Sequence, residues 1–266
     1  MHPNEVRSIA RRGTLVMWMA SSLALTACGG ADMEAASSGG DATVAEQSQS
    51  AVADRRIIVY LTPSQQLYGV KDGKSTLIAE RASAPSVSPD GSQVVFSKLP
   101  SSWNVGQPVT SAELHLYKAS NGKTERLTTG HDDQSASWTP DGKSILFQSK
   151  LRSGLASFWR VKANGKNLMQ VTNRSTSLAT DPAYVPAPVS NTPVQWGPNQ
   201  RRIIVYLAPQ TTTTTEVRVM KLDAQDNVAS AYSLGQGTSP AWTEDGNVRF
   251  QREENGQLVD VEVSVQ

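Results

Sequence analysis

Three histidines occur in the 266 residues, His2, His115 and His131, and only His131 stands beside acids, in His131-Asp132-Asp133. An imidazole next to two carboxylates could hold a metal ion or move a proton. The same residues could instead be architectural. His115 lies in Leu-His-Leu-Tyr-Lys-Ala and reads as a side chain on a strand. No Gly-x-Ser-x-Gly elbow and no phosphate-cradling Walker loop occurs. Carboxylates are plentiful, 24 Asp and Glu together, and a pair flanking a cavity is what glycoside hydrolysis needs. No two of them occupy repeat-related positions that would set such a pair. The sequence therefore names no catalytic residue, metal or cofactor.

The one cysteine is Cys28. It closes the apolar run Thr14–Ala27, which follows Arg7, Arg11 and Arg12, a charged segment and then a short hydrophobic one. That run is shorter than the roughly 20 residues a membrane span needs. Its end, Leu25-Thr26-Ala27-Cys28, resembles the lipobox of bacterial lipoproteins. The resemblance implies cleavage after residue 27, diacylglycerol on the Cys28 thiol and an acylated amino terminus, and two or more acyl chains anchor stably. In a two-membrane host Gly29, rather than Asp, implies transfer to the outer membrane, facing the periplasm. With a single cysteine, no disulfide forms within the chain.

Residues 28–54 continue with Gly, Ala, Ser, acids and amides and no aromatics. Such a segment cannot bury enough apolar surface to offset its ordering entropy, and it reads as a disordered tether. The rest, 55–266, is long enough for one domain. The leader holds three Arg and one Glu, so the totals of 25 basic and 24 acidic residues become 22 and 23 without it. This balance leaves no electrostatic footprint for nucleic acid.

What must position His131-Asp132-Asp133 is a repeat. A short apolar stretch runs into the same turn four times: Ser86–Gly91 (SVSPDG), Ser137–Gly142 (SWTPDG), Gln195–Gln200 (QWGPNQ) and Ala241–Gly246 (AWTEDG). Arg55–Leu61 (RRIIVYL) recurs unchanged at Arg201–Leu207. Self-similarity at a period of about 40–50 residues marks a repeat architecture. After each turn comes a second strand, Gln93–Lys98, Ser144–Lys150, Arg201–Leu207 or Asn247–Arg252, several of them continuously apolar, which implies burial on both faces. Third strands follow at Leu114–Ala119, Ser157–Ala163 and Glu216–Leu222. Asp72-Gly73, Asn121-Gly122, Asn164-Gly165 and Asn255-Gly256 are expected to make type I′ hairpins. Trp138, Trp196 and Trp242 occupy equivalent first-strand positions and are expected to pack between units.

The fold expected is all-β: a propeller of four-stranded antiparallel blades, five by length. The first unit appears without its innermost strand, because its RIIVYL matches a second strand. The last stops after its third, so closure of the ring is not written in the sequence.

The pattern of Ser-Trp-Thr-Pro-Asp-Gly-Lys at 137–143, a hydrophobic strand, an Asn-Gly hairpin and a strand ending Val171-Thr172 is similar to the Pro-Asp repeat of TolB-type propellers. The likeness spans nearly all of 55–266; QWGPNQ lacks the Asp-Gly and AWTEDG lacks the Pro. It implies a periplasmic propeller that binds protein partners, in TolB the peptidoglycan-associated lipoprotein and other Tol components. TolB is soluble and carries an α/β domain before its propeller, so fold and binding class carry over here, and Tol membership does not.

The function expected is a lipid-anchored cell-envelope binding or scaffold protein that engages a protein or envelope polymer without catalysis. The alternative is a carbohydrate-active propeller enzyme. In a meander, successive turns alternate between the two ends of the blade. The long connections therefore share the end opposite the Pro-Asp-Gly turns, and long loops on a rigid scaffold are where binding concentrates. The candidate binding residues there are Trp103, His131, Asp132, Asp133 and Tyr184.

Overall fold

The computed structural model describes residues 56–176, 178–189, 192, 194–198 and 202–265. The expected leader, Cys28 and the tether lie outside the described residues. Regular structure among the described residues is β throughout, with no helix long and apolar enough to cross a membrane.

Among the described residues eighteen strands form five antiparallel sheets. The first holds β1 (Ile58–Leu61), β2 (Leu67–Lys71) and β3 (Lys74–Ala79). The second holds β4 (Ala82–Val87), β5 (Gln93–Lys98), β6 (Glu113–Lys118) and β7 (Lys123–Arg126). The third holds β8 (Asp133–Trp138), β9 (Ser144–Ser149), β10 (Ser157–Lys162) and β11 (Met169–Gln170). The fourth holds β12 (Gln195–Trp196), β13 (Ile203–Pro209), β14 (Thr215–Leu222) and β15 (Val228–Gln236), and the last β16 (Thr238–Trp242), β17 (Val248–Glu254) and β18 (Gln257–Val263). Within each sheet the strands pair in chain order, a meander. The three middle sheets have four strands and the outer two have three, as the repeat pattern implies.

The recurrent turn is a hydrogen-bonded cage. Ser88 and Thr139 precede Pro-Asp-Gly, and each hydroxyl donates to the following Asp, Asp90 at 2.6 Å and Asp141 at 2.7 Å. The same hydroxyls accept the amides of Gln93 and Ser144, which open the second strands. Thr243 does this for Asn247 in the last sheet. Gly91 has φ 72°, and a Cβ there would lie 2.8 Å from the Arg56 backbone. That contact matters because Ile57 N–H donates to the Gly91 carbonyl and clips the first sheet to the second.

The hairpins divide into two kinds. Lys71 pairs with Lys74 and Glu254 with Gln257, leaving two-residue loops. Asp72, Gly73, Asn255 and Gly256 all have positive φ, the type I′ geometry expected. Asn121-Gly122 and Asn164-Gly165 are different: only the glycines have positive φ. Lys118 pairs with Lys123, so the first of these loops has four residues and a two-residue turn has no place in it. Asn121 and Asn164 instead use their side-chain oxygens to accept the amides of Lys123 and Lys166.

Three innermost strands share a bulge that the sequence did not reveal. Ala84, Ser135 and Ser239 occupy equivalent positions, each five residues before the Pro or Glu of its turn, and have φ of 44°, 53° and 52°. Register shifts fall across the same places, between Ser83 and Ser86, Gln134 and Ser137, and Thr238 and Ala241. An extra residue of this kind sharpens the twist of a strand, here at the same point in each sheet.

Each sheet packs face to face on the next. Ile57, Leu67, Val94 and Phe96 join the first two sheets. Val95, Leu116, Ile145 and Phe147 join the second to the third, and Leu146, Phe158, Ile204 and Tyr206 the third to the fourth. Val205, Val219, Phe250 and Val261 join the fourth to the last. The tryptophans stitch these layers together: Trp196 Nε1 donates to Ser137 Oγ, and Trp242 Nε1 to the Gln195 carbonyl, both 3.2 Å. Each indole thus reaches the residue ahead of the equivalent position one sheet earlier. An ionic clasp reinforces the third-to-fourth junction, where buried Asp226 pairs with Arg160 and Arg202.

No corresponding cluster joins the last sheet to the first among the described residues. The outward side of the first sheet leaves Ile58 68%, Tyr60 46% and Leu77 43% exposed.

The turn cages predict an acid response. Hydrogen bonds, first from the Ser88 hydroxyl and then from Ser92, hold Asp90 below its ordinary 3.8. Asp141 is also lowered, because burial, which raises it, is outweighed by the Thr139 hydroxyl and the Lys143 amide. A carboxylate lowered on folding stabilises above its unfolded pKa and loses that contribution as pH falls through the folded value. Asp90→Asn with Asp141→Asn should therefore flatten the loss of stability below about pH 4, read from thermal melts across the acid range. An unchanged acid limb would contradict the cage.

Candidate functional site

The tight cages and third-to-fourth hairpins occupy one end of the sheets, and the long connections gather at the other. These are the β5–β6 loop, the β7–β8 crossover with His131 and Asp132, the β9–β10 loop, the β11–β12 connection with Tyr184, and the threonine-rich β13–β14 loop.

The residues named from sequence meet only in part. Trp103 is 7% exposed and packs with Leu99, Val109 and Ala112 in a small core of its own loop. Its Nε1 donates to the Gln107 carbonyl at 3.2 Å. The loop is therefore a folded unit, and Trp103 is its centre more than its surface.

Asp132 and Asp133 belong to the same neighbourhood. Asp132 is buried at φ 54°. Its Oδ1 accepts the Ala112 amide at 3.2 Å and Gln134 Nε2 at 2.6 Å, and Lys150 Nζ stands 3.7 Å from Oδ2. Gln134 Nε2 also reaches the Val109 carbonyl. Asp132 thus ties the β5–β6 loop of one sheet to the crossover into the next. Asp133 is wholly buried and takes a two-pronged bond from Arg152, Nε at 3.1 Å and Nη2 at 2.7 Å. The guanidinium lies 5.9 Å from the Phe147 ring centre and 5.8 Å from that of Trp159, a desolvated setting that suits Arg better than Lys. His131 contributes its carbonyl, which accepts Ser149 Oγ and the Leu151 amide. Both carboxylates are engaged internally, and among the described residues no group of three or more His, Cys, Asp and Glu could hold a metal ion.

Tyr184 has a different set of neighbours. Its connection is pinned by Asn173, whose Nδ2 donates to the Ala156 and Val185 carbonyls while its Oδ1 accepts the Val185 amide. Burial raises the Tyr184 phenol above its ordinary 10.0. Nearby Tyr206 donates to the Pro186 carbonyl, and burial raises it further. His115 sits on β6 beside Phe96, and burial lowers it below 6.5, which fits a neutral strand residue.

Three residues that sequence reasoning passed over stand at this end. Val105 is 63% exposed, Leu151 61% and Leu178 64%, and each comes from a different connection. They lie in irregular loops rather than in strands, so periodicity carries no trace of them. Arg152 was also missed: its partnership with Asp133 depends on the β8–β9 register, which sets Asp133 opposite Ser149. Beside Trp103, a shallow recess of about 320 Å³ is lined by Pro100, Gln107 and Pro108. A recess of about 660 Å³ lies at the tight-turn end between the last two sheets, lined by Arg202, Lys221, Asp245 and Val265.

No family model and no curated protein sequence matches the chain. Solved structures do. TolB from Acinetobacter baumannii is 19% identical with a TM-score of 0.53, over 79% of this chain and 52% of that one. A putative TolB from Agrobacterium tumefaciens is 19% identical at 0.51, over 79% and 70%. An oligogalacturonate lyase in complex with manganese is 15% identical at 0.53, over 76% and 54%. The chain spans about half the length of the first and third of these. What the likeness establishes is the fold, a TolB-like β-propeller.

The Asp133–Arg152 pair is open to a direct check. Arg152→Met should cost about 3–5 kcal/mol, since it leaves a buried carboxylate without a counter-charge. Adding Asp133→Asn should recover part of that loss. Urea unfolding of the two variants would show it, and equal stability of Arg152→Met and the parent chain would contradict the pairing.

Proposed function

We propose that this chain is a lipid-anchored binding or scaffold protein of the cell envelope, whose propeller engages a protein or envelope polymer through the long-loop end. In this reading residues 1–27 are the leader, Cys28 carries the lipid, 28–54 form the tether and 55–266 the propeller. In a two-membrane host the lipid sits in the outer membrane and the propeller faces the periplasm.

One observation carries the choice of surface. Val105, Leu151 and Leu178, from three separate connections, expose apolar side chains at the same end. Single exposed apolar residues need no explanation. Three loop tips at one end of a rigid scaffold are the arrangement a protein contact uses, apolar contact ringed by polar loop. The engagement of Asp132 and Asp133 in internal bonds supports binding over acid–base chemistry. The Trp103 loop has its own small core and the Tyr184 connection is pinned by Asn173, internal supports that lower the ordering cost of binding.

The test is photo-crosslinking in native membranes. Val105→Asp, Leu151→Asp and Leu178→Asp together should abolish the cross-linked partner with the melting temperature retained. Lys123→Glu with Lys166→Glu, at the tight-turn end, should leave it. Cys28→Ser in the same background should remain uncleaved and unlabelled by a fatty-acid probe. Loss of the partner only in the lysine variant would place the binding surface at the opposite end, and normal labelling of Cys28→Ser would remove the anchor.

A further inference from the structure

The tight-turn end carries a recurrent charge. Each third-to-fourth hairpin of the first three sheets is flanked by lysine on both sides: Lys71 and Lys74, Lys118 and Lys123, Lys162 and Lys166. Lys143 follows the Pro-Asp-Gly turn of the third sheet, and Arg56 lies against that of the second. Six of these eight, Arg56, Lys74, Lys123, Lys143, Lys162 and Lys166, are exposed. Packed sheets lie about 10 Å apart, so the six spread over roughly 20 Å of one end of the molecule.

The carboxylates at the same place do not cancel it. Asp90 accepts the Ser88 and Ser92 hydroxyls, and Asp141 accepts the Thr139 hydroxyl and the Lys143 amide. Glu125 pairs with half-buried Lys118 at 2.7 Å, the one ion pair of these hairpins among the described residues. Asp72, in the first hairpin, completes the set, so eight cations meet four carboxylates. The turns of the fourth and last sheets differ. There Glu244 and Asp245 are exposed, Arg202 is clasped by Asp226, Arg249 is paired with Glu262, and half-buried Lys221 stands two residues from Asp223. Among the described residues the positive excess at this end therefore sits on the first three sheets.

The chain enters its first sheet at this same end. Ile57 N–H donates to the Gly91 carbonyl at 3.0 Å, and Arg56 Nη2 to the Pro89 carbonyl at 2.8 Å. Residue 56 is thereby held against the Pro-Asp-Gly turn of the second sheet, on the basic side. On the reading proposed above, residues 28–54 lead from the lipid on Cys28 to this point. That attachment brings the basic rim, and not the apolar loop tips, nearest the lipid surface. Anionic headgroups are the charge complement of such a rim: each nearby Lys or Arg strengthens the contact several-fold, and salt screens it. An acyl anchor joined to a basic patch is a combination that holds a protein stably at a membrane.

We infer that the tight-turn end of the first three sheets, through Arg56, Lys74, Lys123, Lys143, Lys162 and Lys166, rests on anionic phospholipid headgroups. For its orientation this rests on the lipid-anchored reading. The opposite end, with Val105, Leu151 and Leu178, then points away from the membrane and toward a partner. The contact is electrostatic and reversible, and no apolar residue of the rim has to enter the bilayer. The anchor keeps the chain at the membrane without it, so capture of a partner at the loop end does not require it.

The test uses the full chain isolated from native membranes and incorporated into vesicles. These are phosphatidylcholine alone, or phosphatidylcholine with about a third phosphatidylglycerol to make the surface negative. Lysines are acetylated briefly and read one by one by mass spectrometry. On anionic vesicles at about 0.1 M salt, Lys74, Lys123, Lys143, Lys162 and Lys166 should react about threefold or more slowly than on phosphatidylcholine. Lys98 and Lys150, at the loop end, should keep their rates. Salt at about 1 M, where the screening length falls to about 3 Å, should erase the difference. Lys74→Glu, Lys123→Glu and Lys162→Glu together should release Lys143 and Lys166 with the melting temperature retained, since all three positions are exposed. Equal rates on both vesicles, protection of Lys98 and Lys150 instead, or protection by soluble polyphosphate but not by vesicles would each overturn the inference. Flotation with phosphatidylcholine vesicles at about 1 M salt reports the anchor separately. A chain that fails to float there lacks the anchor, and the same lysine rates on anionic vesicles still decide for or against the rim.

Discussion

A β-sheet that is apolar on both faces needs a neighbour on each side, and this requirement organises the molecule. The second strands show it: β5, β9 and β13 are buried across both faces because each lies between two sheets. Burying one Val, Leu, Ile or Phe contributes about 1.5–3 kcal/mol, and every junction joins several such residues from each sheet. The tryptophan N–H bonds and the Asp226 clasp add direction to this packing. They tie one sheet to the next at fixed positions, whereas apolar packing alone would tolerate sliding.

The two ends of the sheets do different work because their connections differ in chemistry. At the tight end, Ser or Thr hydroxyls and Asp carboxylates satisfy the turn amides, and little chain is left over. At the other end the connections are long enough to fold by themselves. The β5–β6 loop builds a core around Trp103, and the β11–β12 connection is held by Asn173. Asp132 and Asp133 belong to that supporting framework: they join loops to strands and present few free atoms to a ligand. The exposed tips that remain, Val105, Leu151 and Leu178, are what such a framework can offer a partner.

The architecture was legible because it is periodic. The turn recurs four times with Trp or Val ahead of it, and β5, β9, β13 and β17 fall within two residues of where the apolar runs place them. The short first and last sheets were visible for the same reason, since RIIVYL could be matched with its second copy. Local geometry was less accessible. Asn-Gly means a type I′ turn only when the register leaves two residues in the loop, and at Asn121 and Asn164 it does not. The bulges at Ala84, Ser135 and Ser239 involve ordinary residues with positive φ, for which no residue type is diagnostic. The site was the least legible part. His131-Asp132-Asp133 draws attention by composition, but its role depends on Ala112, Gln134 and Arg152, partners distant in sequence or settled only by strand register.

The account turns on four sheet junctions and, among the described residues, on the lack of a fifth between the last sheet and the first, and one distance tests it. Spin labels at Asp72 and Asp245, in turns at the same end of the first and last sheets, report the gap between those sheets by pulsed dipolar spectroscopy. An open arrangement predicts a separation of about 20 Å or more, two sheet spacings. A separation near a single spacing of about 10 Å would mean that the charged face of the last sheet packs on the apolar face of the first, and would contradict it.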